Sequence, residues 1–178
     1  TSAEVRSRPW SGTGTGTPGT YSTPVRMTVH SPLASRLVPS RTTTCAILTD
    51  GTIECVGDNF FGQLGDGTRT DSAVPRTVLD VAGVTDAAGA EGHYCAVHGG
   101  GLVSCWGWGS SGQLGNGTNT AYQPTPVRAM GITDAVAIGV GQSHTCVVRA
   151  DGTLWCWGAN DSGQLGDGTS TYRNVPAI

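Results

Sequence analysis

Six cysteines occur in three pairs: Cys45 and Cys55, Cys95 and Cys105, and Cys146 and Cys156. Within each pair the two residues are ten positions apart. Cysteines at this spacing could ligate a metal ion, form a reversible redox pair or join in a structural disulfide bond. A histidine stands two positions before the first cysteine of the second and third pairs, at His93 and His144, and this adds a second type of metal ligand.

The segment between the two cysteines of a pair is typical of a β-hairpin. In the first pair, Thr49-Asp50-Gly51 fits a three-residue loop in which a type I turn precedes a glycine in the left-handed region. That loop places Cys45 directly opposite Cys55, within the distance that a disulfide bond spans. The same register opposes the other two pairs, with Gly99-Gly100-Gly101 and Ala150-Asp151-Gly152 as the loops. We therefore expect three disulfide bonds, which persist in oxidising compartments and indicate an extracellular or cell-surface protein.

Reduced structural thiols and a zinc site are the alternatives to disulfide bonds. A zinc site would combine the histidines with the cysteines, yet Thr43 replaces the histidine in the first unit while both cysteines remain. Three equivalent copies also argue against one catalytic thiol. We expect His93 and His144 to be structural residues, and we expect no metal and no other cofactor.

The elements that must position the cysteines form a repeat of about fifty residues. The segment Gly62-Gln-Leu-Gly-Asp-Gly-Thr68 recurs with one substitution at 112–118 and unchanged at 163–169. Each unit contains two strands around a glycine turn, followed by this glycine-rich segment, and the pattern predicts an all-β protein. The predicted units are 35–82, 83–133 and 134–178. Residues 1–34 are either the degenerate end of a preceding repeat or a flexible leader.

The glycine-rich segments loosely resemble nucleotide-binding loops, but the context that such a loop requires is missing. The chain contains no lysine, and no helix-forming stretch follows the glycines. Asp66-Gly67 and its equivalents are instead strong turn signals. The leucines between the glycines are expected to fill the core between units: Leu64, Leu114 and Leu165.

Tryptophans flank the cysteines of the second and third units, and most of them are expected to serve packing. Trp108 breaks the pattern, because Asp58 and Ala159 occupy the equivalent positions in the other units. A residue that the repeat does not require is free to serve another purpose. Trp108 is therefore the one residue that we predict, individually, to contact a partner.

Charge and hydropathy argue against two classes of partner. The formal net charge is −3, and the ten basic residues, all arginines, form no cluster. Both features speak against nucleic acid as a partner. The longest uncharged apolar run, 135–141, is too short to span a bilayer. We expect no nucleic-acid partner and no membrane insertion.

The repeat resembles that of the regulator of chromosome condensation family. The strings CWGANDSGQLGDGT, CWGWGSSGQLGNGT and CVGDNFFGQLGDGT carry the likeness, which covers residues 35–178. The resemblance implies a β-propeller whose blades have four strands each, and propellers of this family usually have seven blades. The paired cysteines resemble the secreted bacterial branch of the family more than its nuclear members.

For a chain with three units, the resemblance implies a β-propeller or partial propeller of about three to four four-stranded blades. Three blades cannot close a ring, because the end blades would expose sheet faces and unpaired edges. We therefore expect a protein partner or self-association to complete the propeller, with the chain acting as a homo-oligomer or as a fragment of a longer protein.

No catalytic set is visible, because the suggestive residues recur at equivalent positions of other units and such residues usually serve the repeat. We therefore expect no enzyme activity. The hypothesis is a non-enzymatic extracellular scaffold for protein binding or assembly. The alternative is a regulator of a nucleotide-binding partner, because the founding eukaryotic member of the family exchanges nucleotide on a small GTPase. The loops for that activity have no match in this sequence.

Overall fold

The computed structural model describes residues 32–178, and the regular elements in this range are β-strands. They are β1 (Ala34–Pro39), β2 (Thr43–Leu48), β3 (Ile53–Gly57), β4 (Ser72–Thr77), β5 (Asp86–Gly89), β6 (His93–His98), β7 (Leu102–Gly107), β8 (Gln123–Arg128), β9 (Ala135–Val140), β10 (His144–Arg149), β11 (Leu154–Gly158) and β12 (Arg173–Ala177). In this range no helix is long and apolar enough to cross a membrane. The expectation that residues 1–34 are a degenerate repeat end or a flexible leader concerns residues that lie almost entirely outside the described range.

The strands form three antiparallel sheets of four strands each, and every sheet uses four consecutive strands. We call them blade one (β1–β4), blade two (β5–β8) and blade three (β9–β12). The first strands of successive blades lie side by side, since β1 contacts β5 and β5 contacts β9. The arrangement is a partial β-propeller, and it confirms the predicted all-β fold class.

The central hairpin of each blade has the register that its loop predicts. In blade one the Leu48 N–H donates to the Thr52 carbonyl at 2.9 Å, so these two residues close the loop as a hydrogen-bonded pair. Gly51 has a φ of 80°, the left-handed conformation expected of the third loop residue. Pairs then alternate along the hairpin, and Cys45 and Cys55 become a directly opposed pair without mutual main-chain hydrogen bonds.

The hydrophobic core lies between neighbouring blades. The cysteine-bearing face of blade one packs against blade two, where Ile47 and Ile53 join Tyr94 and Trp106 in one buried cluster. The junction of blades two and three is built in the same way from Val97, Val103, Val147 and Trp157. The repeat leucines Leu64 and Leu114 are fully buried in these two clusters, as predicted. Because each such side chain stabilises the fold by about 1.5 to 3 kcal/mol, the blades hold one another together.

A tryptophan of each later blade binds the glycine-rich loop of the blade before it. Trp106 Nε1 donates to the main-chain oxygen of Gln63 at 2.9 Å, and Trp157 Nε1 donates to that of Gln113 at 2.8 Å. Glycine is required beside the indole, because a Cβ on Gly65 would lie 2.9 Å from the indole nitrogen of Trp106. The junction is therefore specified by an indole on one side and a glycine loop on the other.

Candidate protein-binding surface

The long loops between the third and fourth strands of the blades lie at one end of the sheets. They span residues 58–71, 108–122 and 159–172. The short turns between first and second strands, 40–42, 90–92 and 141–143, lie at the same end because the strands are antiparallel. We call this end the loop face.

A buried asparagine fixes the shape of the long loop in blade one. The Asn59 side-chain amide donates to the carbonyls of Thr68 and Thr70, both at 3.1 Å. Its oxygen accepts a hydrogen bond from the Leu64 N–H at 2.8 Å. Asn160 makes the equivalent contacts in blade three. These hydrogen bonds fix the main-chain conformation of the loop, so the side chains at its tip have defined positions.

Four aromatic rings from blades one and two meet on the loop face. Phe61 stands between Trp108 and Tyr122, with ring centroids 5.7 and 6.2 Å away. Phe60 meets Phe61 edge-on at 5.0 Å and Tyr122 at 5.8 Å. Aromatic pairs at such separations contribute about 0.5 to 1.5 kcal/mol each beyond area burial. The rings therefore support one another across the junction of two blades.

Arg69 completes this surface. Its guanidinium carbon lies 3.7 Å from the Tyr122 ring centroid and 5.2 Å from that of Phe60. Its Nε donates to the Phe60 carbonyl at 2.8 Å. Within residues 32–178 no carboxylate forms an ion pair with Arg69. We call the five residues Phe60, Phe61, Arg69, Trp108 and Tyr122 the aromatic-arginine patch.

Part of the aromatic-arginine patch is exposed to solvent, although four of its five residues are aromatic. Phe60 is 55% and Tyr122 is 41% exposed, and Arg69 is exposed as well. Single exposed apolar residues are common on protein surfaces, whereas contiguous ones mark interaction sites. The patch is therefore a candidate contact surface.

The blade framework does not require these residues. Where blade one has Phe60, Phe61 and Arg69, blade two has Ser110, Ser111 and Asn119. Blade three has Asp161, Ser162 and Ser170 at the same positions. Since the loops of all three blades form without a common residue type there, the shape of the loop does not depend on these particular side chains.

Trp108, the residue singled out by sequence, lies at the edge of the patch. It is half-buried, its ring packs on Phe61, and its Nε1 donates to the Ser110 hydroxyl at 2.8 Å. A Cβ on Gly92 would lie 3.1 Å from the Trp108 Cβ, so the glycine makes room for it. Sequence reasoning missed the other four members of the patch. Phe60, Phe61 and Arg69 differ from the equivalent residues of both other units, and this signal could have found them. Tyr122 gives no such signal, because its counterpart in blade three is Tyr172.

All six cysteines are paired in disulfide bonds, and each bond joins opposed residues of one hairpin. The pairs are Cys45–Cys55, Cys95–Cys105 and Cys146–Cys156, with Cα atoms 4.0, 4.0 and 4.1 Å apart. These separations are somewhat shorter than expected for opposed strand residues, in keeping with pairs that lack main-chain hydrogen bonds. In residues 32–178 no group of three or more histidine, cysteine or acidic side chains could hold a metal ion.

His93 is buried at the junction of blades two and three. Its Nε2 lies 3.1 Å from the Thr145 hydroxyl, while its Nδ1 has no hydrogen-bond partner in the described structure. Burial, with a smaller repulsion from His144, lowers the pKa of His93 to about 3. His93 is therefore neutral at physiological pH and has the position of a packed structural residue.

The repeat is recognised by comparison with known proteins. Two sequence models described as "Regulator of chromosome condensation (RCC1) repeat" match residues 135–164 and 100–148. The human E3 ubiquitin-protein ligase HERC2 is 32% identical over 138 residues, which are 76% of this chain and 3% of the ligase.

Solved structures share the blade architecture. Human WBSCR16 is 26% identical with a TM-score of 0.68, over 79% of this chain and 39% of that protein. Prp20p from Saccharomyces cerevisiae, described with its binding properties to Gsp1p and histones, is 18% identical with a TM-score of 0.71, over 81% of this chain and 37% of Prp20p. The chain spans well under half the length of these relatives. Its three blades, its glycine-rich loops and these matches together show that it belongs to the regulator of chromosome condensation (RCC1) repeat family.

Proposed function

We propose that this protein is a non-enzymatic extracellular scaffold that binds a protein partner through the aromatic-arginine patch. The observation that carries the proposal is the cluster of Phe60, Phe61, Trp108 and Tyr122, with Phe60 and Tyr122 exposed and Arg69 stacked on Tyr122. Tryptophan, tyrosine and arginine are the residues that most often dominate the binding energy of protein interfaces. A rigid blade framework also holds them in place, which lowers the entropy cost of binding.

The chemistry of the patch defines the kind of segment that fits it. The face of the Arg69 guanidinium stacks on the Tyr122 ring, and its Nε donates a hydrogen bond to the Phe60 carbonyl. The two terminal nitrogens are left to pair with a carboxylate. We expect a partner segment in which an acidic residue lies next to an apolar or aromatic one.

The extracellular location is supported by the disulfide bonds. All six cysteines are consumed in three of them, and such bonds persist where the environment is oxidising. The same bonds count against a role in the reducing cytosol or nucleus.

The alternative function is regulation of a nucleotide-binding partner by nucleotide exchange. Prp20p, with which this chain shares its fold, is described as binding Gsp1p and histones. The net charge of −3 does not suit a chromatin ligand. Release of a fluorescent guanine nucleotide from a small GTPase, measured with and without this protein, tests the alternative directly.

The scaffold proposal is tested by selecting ligands without assuming the partner. A phage library of random peptides is selected on the disulfide-bonded protein, and the enriched peptides are synthesised and titrated by fluorescence anisotropy. We expect acidic, aromatic-containing peptides that lose at least tenfold in affinity for the double variant Phe60→Ser, Arg69→Asn. These substitutions copy Ser110 and Asn119 from blade two.

The matched control is Tyr172→Ala, at the position of blade three that corresponds to Tyr122. It removes an exposed aromatic ring from the same type of loop but outside the patch, and we expect it to leave the affinity unchanged. Enriched peptides that bind the double variant as well as the original protein would show that the patch is not the binding surface. Accelerated nucleotide release from the small GTPase would favour the alternative.

A further inference from the structure

Asn116 is the one asparagine of the sequence that is followed by glycine, and it stands where the other two units have aspartate. The glycine-rich segment contains Asn116-Gly117 in blade two, Asp66-Gly67 in blade one and Asp167-Gly168 in blade three. Asparagine before glycine loses its side-chain amide spontaneously, because glycine has no side chain to hinder attack by its own nitrogen. Blade two therefore contains a group that can react without an enzyme.

The reaction joins the Gly117 nitrogen to the Asn116 Cγ. The nitrogen loses its proton and forms the new C–N bond, the Cγ–Nδ2 bond breaks, and the side-chain nitrogen leaves as ammonia with that proton. The cyclic imide that results, a succinimide, then takes up water at either of its carbonyls. One opening gives aspartate. The other gives isoaspartate, in which the main chain runs through the side-chain carbons.

The fold holds the electrophile of this reaction in a polarised form. The Asn116 Oδ1 accepts hydrogen bonds from the Thr118 N–H at 3.2 Å and from the Thr118 hydroxyl at 2.9 Å. Donors on this oxygen stabilise the negative charge that develops there when a nucleophile adds to Cγ. Asn116 is half-buried and Gly117 is exposed, so water can reach the imide.

The nucleophile of the reaction is held by the next blade. The Gly117 N–H donates to the Asn174 carbonyl of β12 at 2.8 Å. Side chains also close around the glycine, since a Cβ on Gly117 would lie 3.3 Å from the Met130 sulfur and 3.9 Å from the Val175 Cγ1. The nitrogen is thus engaged as a donor across the junction of blades two and three, and it cannot attack Cγ while this hydrogen bond is intact.

We propose that Asn116 is a deamidation site that is blocked while the junction of blades two and three is closed and reacts when the junction opens. Folded proteins open locally, so the rate should equal that of the unfolded chain multiplied by the fraction of time for which the junction is open. The modification thus records irreversibly that the junction has opened. The proposal goes beyond the scaffold function and concerns residues outside the aromatic-arginine patch.

The two products should differ in their effect on the junction. Aspartate at position 116 copies units one and three, where Asp66 and Asp167 accept the same pair of hydrogen bonds from the threonine two positions later. Isoaspartate lengthens the main chain by one methylene before Gly117 and displaces its N–H from the Asn174 carbonyl. The aspartate product should therefore let the junction close again, whereas the isoaspartate product should keep it from closing.

The site is tested on the natural sequence by peptide mass spectrometry. The disulfide-bonded protein is incubated at mildly alkaline pH, either folded or unfolded in guanidinium chloride, and the fraction deamidated at Asn116 is followed with time. We expect the folded protein to react roughly tenfold more slowly or less, because only its open fraction reacts. Asn119, which is followed by Thr120, is the internal control and should stay unmodified in both states.

Weakening the same junction at another point tests the gate. Trp157→Phe removes the Nε1 hydrogen bond to the Gln113 carbonyl and leaves Asn116 and Gly117 in place. We expect it to speed deamidation of the folded protein about fivefold or more, because loss of a buried hydrogen bond raises the open fraction by such a factor. Trp155→Phe is the matched control, because the Trp155 Nε1 bonds Thr153 within blade three, and it should have a much smaller effect. When unfolded, both variants should react at the natural rate.

The difference between the products is tested by guanidinium denaturation. Asn116→Asp should unfold at the same denaturant concentration as the natural protein. The isoaspartate form, separated from the incubated protein by chromatography, should unfold at a lower one. Equal midpoints for the two forms would contradict the effect of isoaspartate on the junction.

The remaining outcomes decide between the site and its gate. An Asn116 that stays intact in the unfolded chain would overturn the site. Equal rates in the folded and unfolded protein, or a folded Trp157→Phe that reacts at the natural rate, would overturn the gate. If Trp157→Phe does not fold, deuterium exchange of the Gly117 amide in the natural protein decides, because low guanidinium concentrations should speed exchange and deamidation by the same factor. These experiments do not involve Phe60 or Arg69, so their failure leaves the patch proposal standing.

Discussion

The indole of Trp157 donates its Nε1–H to the main-chain oxygen of Gln113 in the preceding blade, at a distance of 2.8 Å. The Thr145 hydroxyl donates to the same oxygen at 2.9 Å. Trp157→Phe should therefore lower the free energy of unfolding by about 1 to 2 kcal/mol, because one buried hydrogen bond is lost while Thr145 still satisfies the carbonyl. Trp157→Ala should cost about 3 to 5 kcal/mol, because it also leaves a cavity. Urea denaturation followed by circular dichroism measures both.

Trp155→Phe is the control for this pair, since Trp155 is only half-buried and its Nε1 bonds Thr153 within the same blade. Its cost should be clearly smaller than that of Trp157→Phe. Equal costs for the two substitutions would contradict a special role of the hydrogen bond between blades.

The disulfide bond of blade three should be the first to open under reductant. Cys146 is half-buried on the face of blade three that is turned away from blade two, whereas Cys95 and Cys105 have no exposed surface. A thiolate must reach a sulfur atom to exchange with it, so access decides the order. Partial reduction, alkylation and mass spectrometry would measure the order. Simultaneous loss of all three bonds would show instead that reduction follows global unfolding.

Each disulfide bond should also stabilise the fold by about 2 to 3 kcal/mol by the chain-entropy estimate for a short loop. Cys146→Ser, Cys156→Ser should lower the denaturation midpoint accordingly. The matched double variant in blade two, Cys95→Ser, Cys105→Ser, should cost at least as much, because these residues are fully buried.

Acid should weaken the junction of blades two and three through His93. Its pKa is about 3 in the folded protein, against 6.5 for the unperturbed group, so the unfolded chain binds the proton more readily. The free energy of unfolding should therefore fall by roughly a few kcal/mol as the pH drops from 6.5 towards 3. Above pH 6.5, His93 is neutral in both states, so its titration does not change the free energy of unfolding. Urea titrations across this range measure the slope.

His93→Thr is the variant that isolates this effect, because blade one has Thr43 at the equivalent position. The carboxyl groups of the protein titrate in both proteins, so the difference between the two slopes belongs to His93. Identical slopes would contradict the assignment of the acid sensitivity to this residue.

Substitutions in the aromatic-arginine patch should have little effect on folding. Phe60 and Arg69 are exposed, and the buried Asn59 makes most of the hydrogen bonds that shape the loop, to which Arg69 adds one bond to the Phe60 carbonyl. The double variant Phe60→Ser, Arg69→Asn should lower the free energy of unfolding by roughly 1 to 3 kcal/mol, from the two aromatic pairs of Phe60, and should leave the protein folded. Thermal denaturation provides the measurement. A large loss of stability would mean that the rings hold blades one and two together and that binding is not their main role.

The hairpin register and the packing of the leucines could be predicted from local signals in the sequence. The loop Thr49-Asp50-Gly51 fixes which residues stand opposite each other, and the register follows to Ile47 and Ile53. The leucine positions follow because Leu64 and Leu114 are the large apolar residues between glycines.

The patch could not be predicted because its members meet only after two blades have stacked. Phe61 and Tyr122 are sixty-one positions apart, so no local pattern in the sequence indicates that their rings are in contact. Trp108 was recognisable because it departs from Asp58 and Ala159 at the same place in the repeat. The same comparison, applied to every loop position, would have drawn attention to Phe60, Phe61 and Arg69.

The acceptor of the indole hydrogen bond between blades is a main-chain oxygen, at Gln63 and again at Gln113. A peptide carbonyl is present whatever the side chain, so the junction does not depend on compatible residue pairs that must change together. As far as this hydrogen bond is concerned, a blade with the glycine loop can precede any blade with the tryptophan. Unequal recombination within such a gene could therefore lengthen, shorten or shuffle the array of blades while each new junction still formed at once.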